Sequence, residues 1–324
     1  MAIKSFLRSQ ITNAEWYDSF LAGNPTTLPI PYAPVAGYVA GGSDGSATDK
    51  VDKFAFPSES RSTLATGLSI ARFLLTGFSN PNVAGYAAGG RVSSNYSTVD
   101  KFAFPSDSRT TLGTGLSAAK RGPVGFFNPE VAGYVAGGEN SSAVDKFAFP
   151  SDSRTTLGTG LSSGKREGAG FSDPEVAGYF SGGLDTGASS ETDEIEKFSY
   201  PSDSRTVIAA ALSVARYYVA GFEDYGVAGY TLGGRNLGGT RYDTVDKLAF
   251  PADTITTLAT GLSAAKDWGA GFASNTVAGY YAGGNDGSAV STVEKFAFPT
   301  DSRSTLATGL SSVTSVMPAG FQDA

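Results

Sequence analysis

Nineteen residues, VDKFAFPSDSRTTLGTGLS, stand at 99–117 and stand again, letter for letter, at 144–162, a spacing of 45 residues. A chain written this way is built from one repeated unit, and each unit buries its apolar face chiefly against copies of itself. Looser copies extend the pattern. Val-Ala-Gly-Tyr begins at Val35, Val83, Val131, Val176, Val227 and Val277, with steps of 48, 48, 45, 51 and 50 residues, and 48 more run from Val277 to the end. Six units therefore fill residues 35–324, and residues 1–34 stand apart from them. Within a unit the order is VAGYxxGG, a variable loop, VDKFAFPSDSR, a Thr-rich run ending in Gly-Leu-Ser, and a variable stretch ending in Gly-Phe.

Each unit reads as four short strands. VDKFAF is rich in β-formers and is stopped by Pro57, Pro105, Pro150, Pro201, Pro251 or Pro299, followed by Ser-Asp-Ser turn chemistry. The Thr-rich run is another strand. GFSNPNVAGYAAGG at 77–90 reads as a hairpin around Asn-Pro-Asn. We label the strands a (Gly-Phe), b (Ala-Gly-Tyr), c (Val-Asp-Lys-Phe) and d (Thr-rich). Four strands in about 48 residues is the size of a propeller blade, and no helical period runs within a unit. Small residues such as Gly77, Ala84, Gly85, Ala87 and Ala88 suit a crowded axis, and Phe102 and Phe104 the wider space between sheets. The expected fold is all-β: a six-bladed β-propeller of four-stranded antiparallel blades. Val35 opens a strand b with no strand a before it, and Pro318–Ala324 reads as a strand a with no strand b after it. Pairing of these two ends is expected to close the ring.

The double glycines Gly41-Gly42, Gly89-Gly90, Gly137-Gly138, Gly182-Gly183, Gly233-Gly234 and Gly283-Gly284, with Ala-Arg or Ala-Lys at 71–72, 119–120, 215–216 and 265–266, resemble the kelch-type propeller repeat. The resemblance covers residues 35–324. Two features depart from it. Strand d lacks the usual Trp, the only tryptophans being Trp16 and Trp268, and strand c gives Phe-Ala-Phe-Pro where Tyr-Asp is usual. The near-identical Gly-rich units and Phe-x-Phe strands look most like kelch-like virion proteins of tailed bacteriophages. That resemblance implies a structural or adhesion role on a virion, on the tail or head surface.

Residue content excludes much chemistry. There is no His and no Cys, so disulfides, thiolate nucleophiles, His bases and the commonest transition-metal ligands are absent. No catalytic residue, metal or cofactor is expected. Net charge of -7 argues against a nucleic-acid partner. No apolar run reaches the ~18 residues of a span, so membrane insertion is not expected. MAIKSFLRSQ has no apolar h-region, so no secretory signal is expected, and the expected location is the virion, after synthesis in the host cytoplasm.

Two sets of residues are candidates for a partner face. The b–c loops at 43–50, 91–98, 139–143, 184–193, 235–244 and 285–292 vary in length and content, whereas the c–d turn barely changes. Asp44, Arg91, Asn140, Asp185, Arg235, Asn236 and Asp286 represent them. Between strands d and a, the basic residues Arg72, Lys120, Arg121, Lys165, Arg166, Arg216 and Lys266 would surround the channel and offer an anionic pocket. The recurring Arg109, Arg154, Arg205 and Arg303 are expected to pair with Asp107, Asp152, Asp203 and Asp301 of their own turns. In residues 1–34, Thr12-Asn13-Ala14-Glu15 matches a capping box, and Trp16, Tyr17, Phe20 and Leu21 supply an apolar anchor toward other virion proteins. A host-surface glycan or protein is the expected ligand of the propeller. A soluble carbohydrate-binding lectin is the second reading and a glycan-directed hydrolase a distant third.

Overall fold

A computed structural model of the protein describes residues 35–323, and every regular element in them is a strand. Six four-stranded antiparallel sheets, each in the spatial order a-b-c-d, are joined by one small three-stranded sheet. Strands a to d of the second sheet are Phe73–Asn80, Ala84–Arg91, Val99–Ala103 and Ser108–Thr111. The first sheet takes its strand a from the far end of the chain. Ala319–Asp323 pairs with Ala36–Ala40, Tyr38 facing Phe321, and the Val35 N–H donates to the Asp323 carbonyl at 2.8 Å. The expected pairing of the two chain ends is therefore present. The anchor residues Trp16, Tyr17, Phe20 and Leu21 lie outside the described residues.

Two glycines of each unit are set by close approach. A Cβ on Gly85 of strand b would collide with the Phe321 ring of the preceding sheet, and the same holds for Gly133 with Phe78 and for Gly37 with Phe272. A Cβ on Gly77 of strand a would collide with the Gly320 carbonyl. That contact repeats from Gly125 to Gly77, Gly170 to Gly125, Gly221 to Gly170, Gly271 to Gly221 and Gly320 to Gly271. Six glycines are thus packed in sequence at the centre, the last returning to the first, where only a missing side chain permits such contact.

Aromatic rings hold the sheets to one another. In each unit the strand-b Tyr packs on its own sheet's Phe and on the ring that ends strand c of the next. Tyr38 lies 5.1 Å from Phe321 and 5.3 Å from Phe104. Tyr280 of the sixth sheet lies 5.4 Å from Phe56 of the first. Phe102 is fully buried, 5.8 Å from Phe321, so both members of the Phe-Ala-Phe pair face the gap between sheets as their spacing of two requires.

Carboxylates make the same step. The Tyr38 hydroxyl donates to Asp107 at 2.8 Å, and Lys53 pairs with the other oxygen at 2.7 Å. Each following unit repeats this, ending with Tyr280 and Lys295 on Glu59 of the first sheet. The turn acids therefore bind the preceding sheet, not the arginines beside them. Arg109, Arg154, Arg205 and Arg303 lie instead 3.5–3.6 Å from Asp100, Asp145, Glu196 and Glu294 of strand c. Register explains this correction. Arg109 faces Phe102 across the c–d pair, which sets it one step from Asp100, while Asp107 sits in the turn with a left-handed backbone.

Candidate recognition face

The b–c loops and the d–a segments share one face. Backbone bridges join Tyr96 to Lys120, Tyr217 to Arg235, Asp267 to Asn285 and Val290 to Thr314, and Lys165–Arg166 pairs with Leu184–Asp185. The last pairing makes the 184–193 loop an ordered hairpin with a buried Leu184 and an exposed tip at 187–189. Most candidate loop residues shape their own loops. Asp185 accepts the Ser163 hydroxyl at 2.5 Å and the N–H groups of Gly187 and Ala188 at 2.9 Å. Asn236 accepts the Thr240 N–H at 2.9 Å. Asp44 and Asp286 cap the N–H groups of Ser46 and Ser288, and Arg91 reaches the Val92 carbonyl. Asn140 is exposed.

Five of the expected channel-facing cations are consumed inside the sheets. Arg72, Lys120, Lys165, Arg216 and Lys266 are at most 2% exposed. They pair with the second residue of strand c: Arg72 with Asp100 at 3.0 Å, Lys120 with Asp145 at 3.4 Å, Lys165 with Glu196 at 2.8 Å, Arg216 with Asp246 at 2.9 Å, and Lys266 with Glu294. The same carboxylates receive a Ser from the preceding unit; Asp100 takes both the N–H and the hydroxyl of Ser69. These cations tie each d–a segment to strand c of the sheet it leads into and are not available to an anion. Only Arg121 and Arg166 of the set stay partly exposed, paired with Glu139 at 2.7 Å and Glu167 at 2.9 Å.

Two residues beyond each buried cation the chain forms a collar. Backbone N–H groups step from Leu74 to the Met317 carbonyl, Gly122 to Leu74, Glu167 to Gly122, Tyr218 to Glu167 and Trp268 to Tyr218, at 2.7–3.0 Å. Leu74, Gly122, Glu167, Tyr218 and Trp268 all have φ between 56 and 65. Four of the five carry side chains that disfavour this region, so the collar holds strain of the kind found at ligand sites. The residues that follow it, among them Leu75, Pro123, Gly168, Val219, Gly269 and Pro318, line a space of about 60 Å³ above the glycines.

One sector of the collar departs from the repeat. The Arg235 guanidinium lies 5.5, 4.9 and 5.1 Å from the ring centres of Tyr217, Tyr218 and Trp268. Trp268 stands edge-on to Tyr218 at 4.8 Å. Buried Asp267 holds Arg241 at 3.0 Å and Arg235 at 3.4 Å. Glu167 is fully buried; burial pushes its carboxyl up to about 7, partly offset by Arg166 and Arg121. Gly122 leaves the room this carboxylate uses, since a Cβ there would collide with it. The sequence reading named Arg235 but missed Tyr218 and Trp268. The available signal was the one tryptophan within the repeats, at a position held elsewhere by Leu, Gly, Glu, Tyr and Met.

Below the glycines a second space of about 40 Å³ holds Glu223, whose carboxylate accepts the Gln322 amide at 2.6 Å. Burial pushes Glu223 up to about 7 against the opposing bonds from Gln322 and the Ser172 N–H. An unfolded glutamate loses its proton near ~4.3, so from there to about 7 the folded chain keeps a proton that the unfolded chain has released. Stability then falls as pH rises through that window and levels off above it. Glu223→Gln should flatten the dependence and raise stability at pH 8 by about 1–3 kcal/mol. Denaturant midpoints measured from pH 4.5 to 8 check this; an unchanged pH slope in the variant would contradict it.

Among the described residues no group of three or more acids could hold a metal ion, and no helix is long and apolar enough to cross a membrane. Compared with models of known protein families and with curated proteins, the chain matches none.

Proposed function

We propose that the chain is a closed six-bladed propeller of kelch-like type that serves as a non-enzymatic recognition part of a phage virion. Residues 35–324 present the b–c and d–a face to a host-surface glycan or protein, and residues 1–34 join the ring to other virion proteins. The ring reading is supported by glycine, tyrosine and carboxylate contacts that each step through six sheets and return to the first. The observation that carries the function is the contrast between the two faces. The c–d turns repeat one set of contacts six times, whereas the opposite face varies in every loop and concentrates its departures in the collar sector. A scaffold fixed on one side and diversified on the other is the arrangement of a binding module. The virion setting is supported by the resemblance of the Gly-rich, Phe-x-Phe units.

The test replaces the exposed tips at 44–46, 92–94, 187–189, 237–239 and 286–288 with Gly-Ser. Stability should stay within about 0.5 kcal/mol, since these tips bury little. Adhesion of the labelled protein to host cells should fall. Full adhesion after all five replacements would remove the recognition face. Particles should carry the intact chain but not one lacking residues 1–34; equal incorporation would remove the anchor. The lectin reading is favoured by one observation, the aromatic and arginine cluster at the collar.

A further inference from the structure

We propose that the collar sector binds one carboxylate-bearing sugar residue of the uronate type, the apolar sugar face packing on Trp268 and its carboxylate received by Arg235. The inference rests on the recognition reading above and names its ligand class.

Four observations carry it. First, the sector is built by divergence in a chain that otherwise repeats itself. The two collar positions read Phe-Leu, Arg-Gly and Arg-Glu in the units before, and Tyr217-Tyr218 and Asp267-Trp268 here. Second, its polar atoms are unfinished. The Trp268 indole N–H and Glu167 Oε2 are shielded yet make no hydrogen bond, and Arg235 Nε meets Asp267 Oδ2 only in a long ion pair at 3.4 Å. Buried polar atoms are nearly always paired, and an unpaired one costs about 1–3 kcal/mol, so a cluster of them marks a place where a ligand's groups belong. Third, Arg121, Arg166, Arg235 and Arg241 outnumber Glu139, Glu167 and Asp267 there, in a chain of net charge -7. An anionic group is the complement. Fourth, Tyr218 and Trp268 are partly exposed and Arg235 is already stacked against them, so a ligand meets side chains that need little ordering.

Size and chemistry narrow the class. The space inside the collar, about 60 Å³, takes a substituent but not a ring, so the ring lies across the mouth. A sugar offers an apolar face to the aromatic rings and hydroxyls to the orphaned donors and acceptors. A bare anion would satisfy Arg235 alone and leave the indole N–H unpaired.

The test uses the chain's two tryptophans. Trp16→Phe leaves Trp268 as the only indole, a reporter placed in the site. Titration with trigalacturonate should give a saturable change in its fluorescence. Maltotriose should bind at least roughly tenfold more weakly, a difference of ~1.4 kcal/mol. Arg235→Gln and Arg235→Lys should each weaken trigalacturonate binding by roughly tenfold, the lysine because it keeps charge but loses the planar fork. The proposal is overturned if trigalacturonate gives no saturable signal up to on the order of 10 mM, the weak end of specific binding. It is equally overturned if maltotriose binds as well, or if acetate or inorganic phosphate competes at the same concentration as the sugar. Host adhesion that depends on the loop tips with a silent Trp268 would sink this inference and leave the recognition reading standing. A titrating Trp268 without adhesion would do the reverse.

Discussion

Removing residues 317–324 should abolish the monomeric folded protein. The deletion takes away strand a of the first sheet, and with it the Phe321 ring stacked 5.1 Å from Tyr38 and 5.8 Å from Phe102. Losing that ring alone corresponds to about 3–5 kcal/mol by analogy with Phe-to-Ala changes, against a typical total of roughly 5–15. Three further losses add to it. The fully buried strand Ala36–Ala40 becomes a bare edge, which invites pairing with another chain. The Leu74 N–H loses the Met317 carbonyl, opening the collar. Glu223 loses the Gln322 amide. Size-exclusion chromatography should show aggregate in place of monomer. A synthetic peptide of residues 315–324, added during refolding, should restore part of the monomer. A truncated chain that elutes and melts like the full one would mean that the pairing of the two ends does not hold the fold.

That pairing was legible in the sequence because the repeat is a counting device: an unmatched strand at each end has one partner left. The glycines were legible as residues of close approach, although what they approach, a Phe ring at Gly85 and a carbonyl at Gly77, needed the sheets in place. The fate of the cations was not legible. Arg72 is separated from Asp100 by a whole strand pair, and nothing local marks it as buried. Near Arg109 the sequence offers two acids, Asp100 and Asp107, and proximity along the chain favours the wrong one. Antiparallel register decides, since Asp100 faces Thr111 beside the arginine and Asp107 is turned toward Lys53 of the preceding sheet. The collar was illegible for a different reason. A left-handed backbone at Leu74, Glu167, Tyr218 and Trp268 has no signature in side chains that all avoid it, and it accompanies the series of backbone hydrogen bonds that joins them.

The two acids of one unit should then differ sharply when removed. Asp100 is fully buried and accepts from Thr111 at 2.7 Å, from the Ser69 N–H and hydroxyl at 3.0 and 2.9 Å, and from Arg72 at 3.0 Å. Burial works to raise its carboxyl, but Thr111, Arg72 and Ser69 outweigh burial and hold it below the usual range. Its contribution is therefore present above the unfolded carboxylate value and lost as pH falls through the folded one. Asp100→Ala strands the equally buried Arg72 without its counter-ion, and breaking such a pair costs about 3–5 kcal/mol. Asp107 is the control. Its pair with Lys53 is partly exposed, 17% and 19%, and contributes ~0–1 kcal/mol, with about one more for the lost Tyr38 hydrogen bond. Denaturant unfolding of Asp100→Ala and Asp107→Ala should separate them by about 2 kcal/mol or more. Adding Arg72→Met to Asp100→Ala should recover much of the loss, because an apolar chain of similar length needs no counter-ion. Equal losses at the two positions, or no recovery in the double variant, would mean that the strand-c carboxylates do not hold the d–a segments to the sheets.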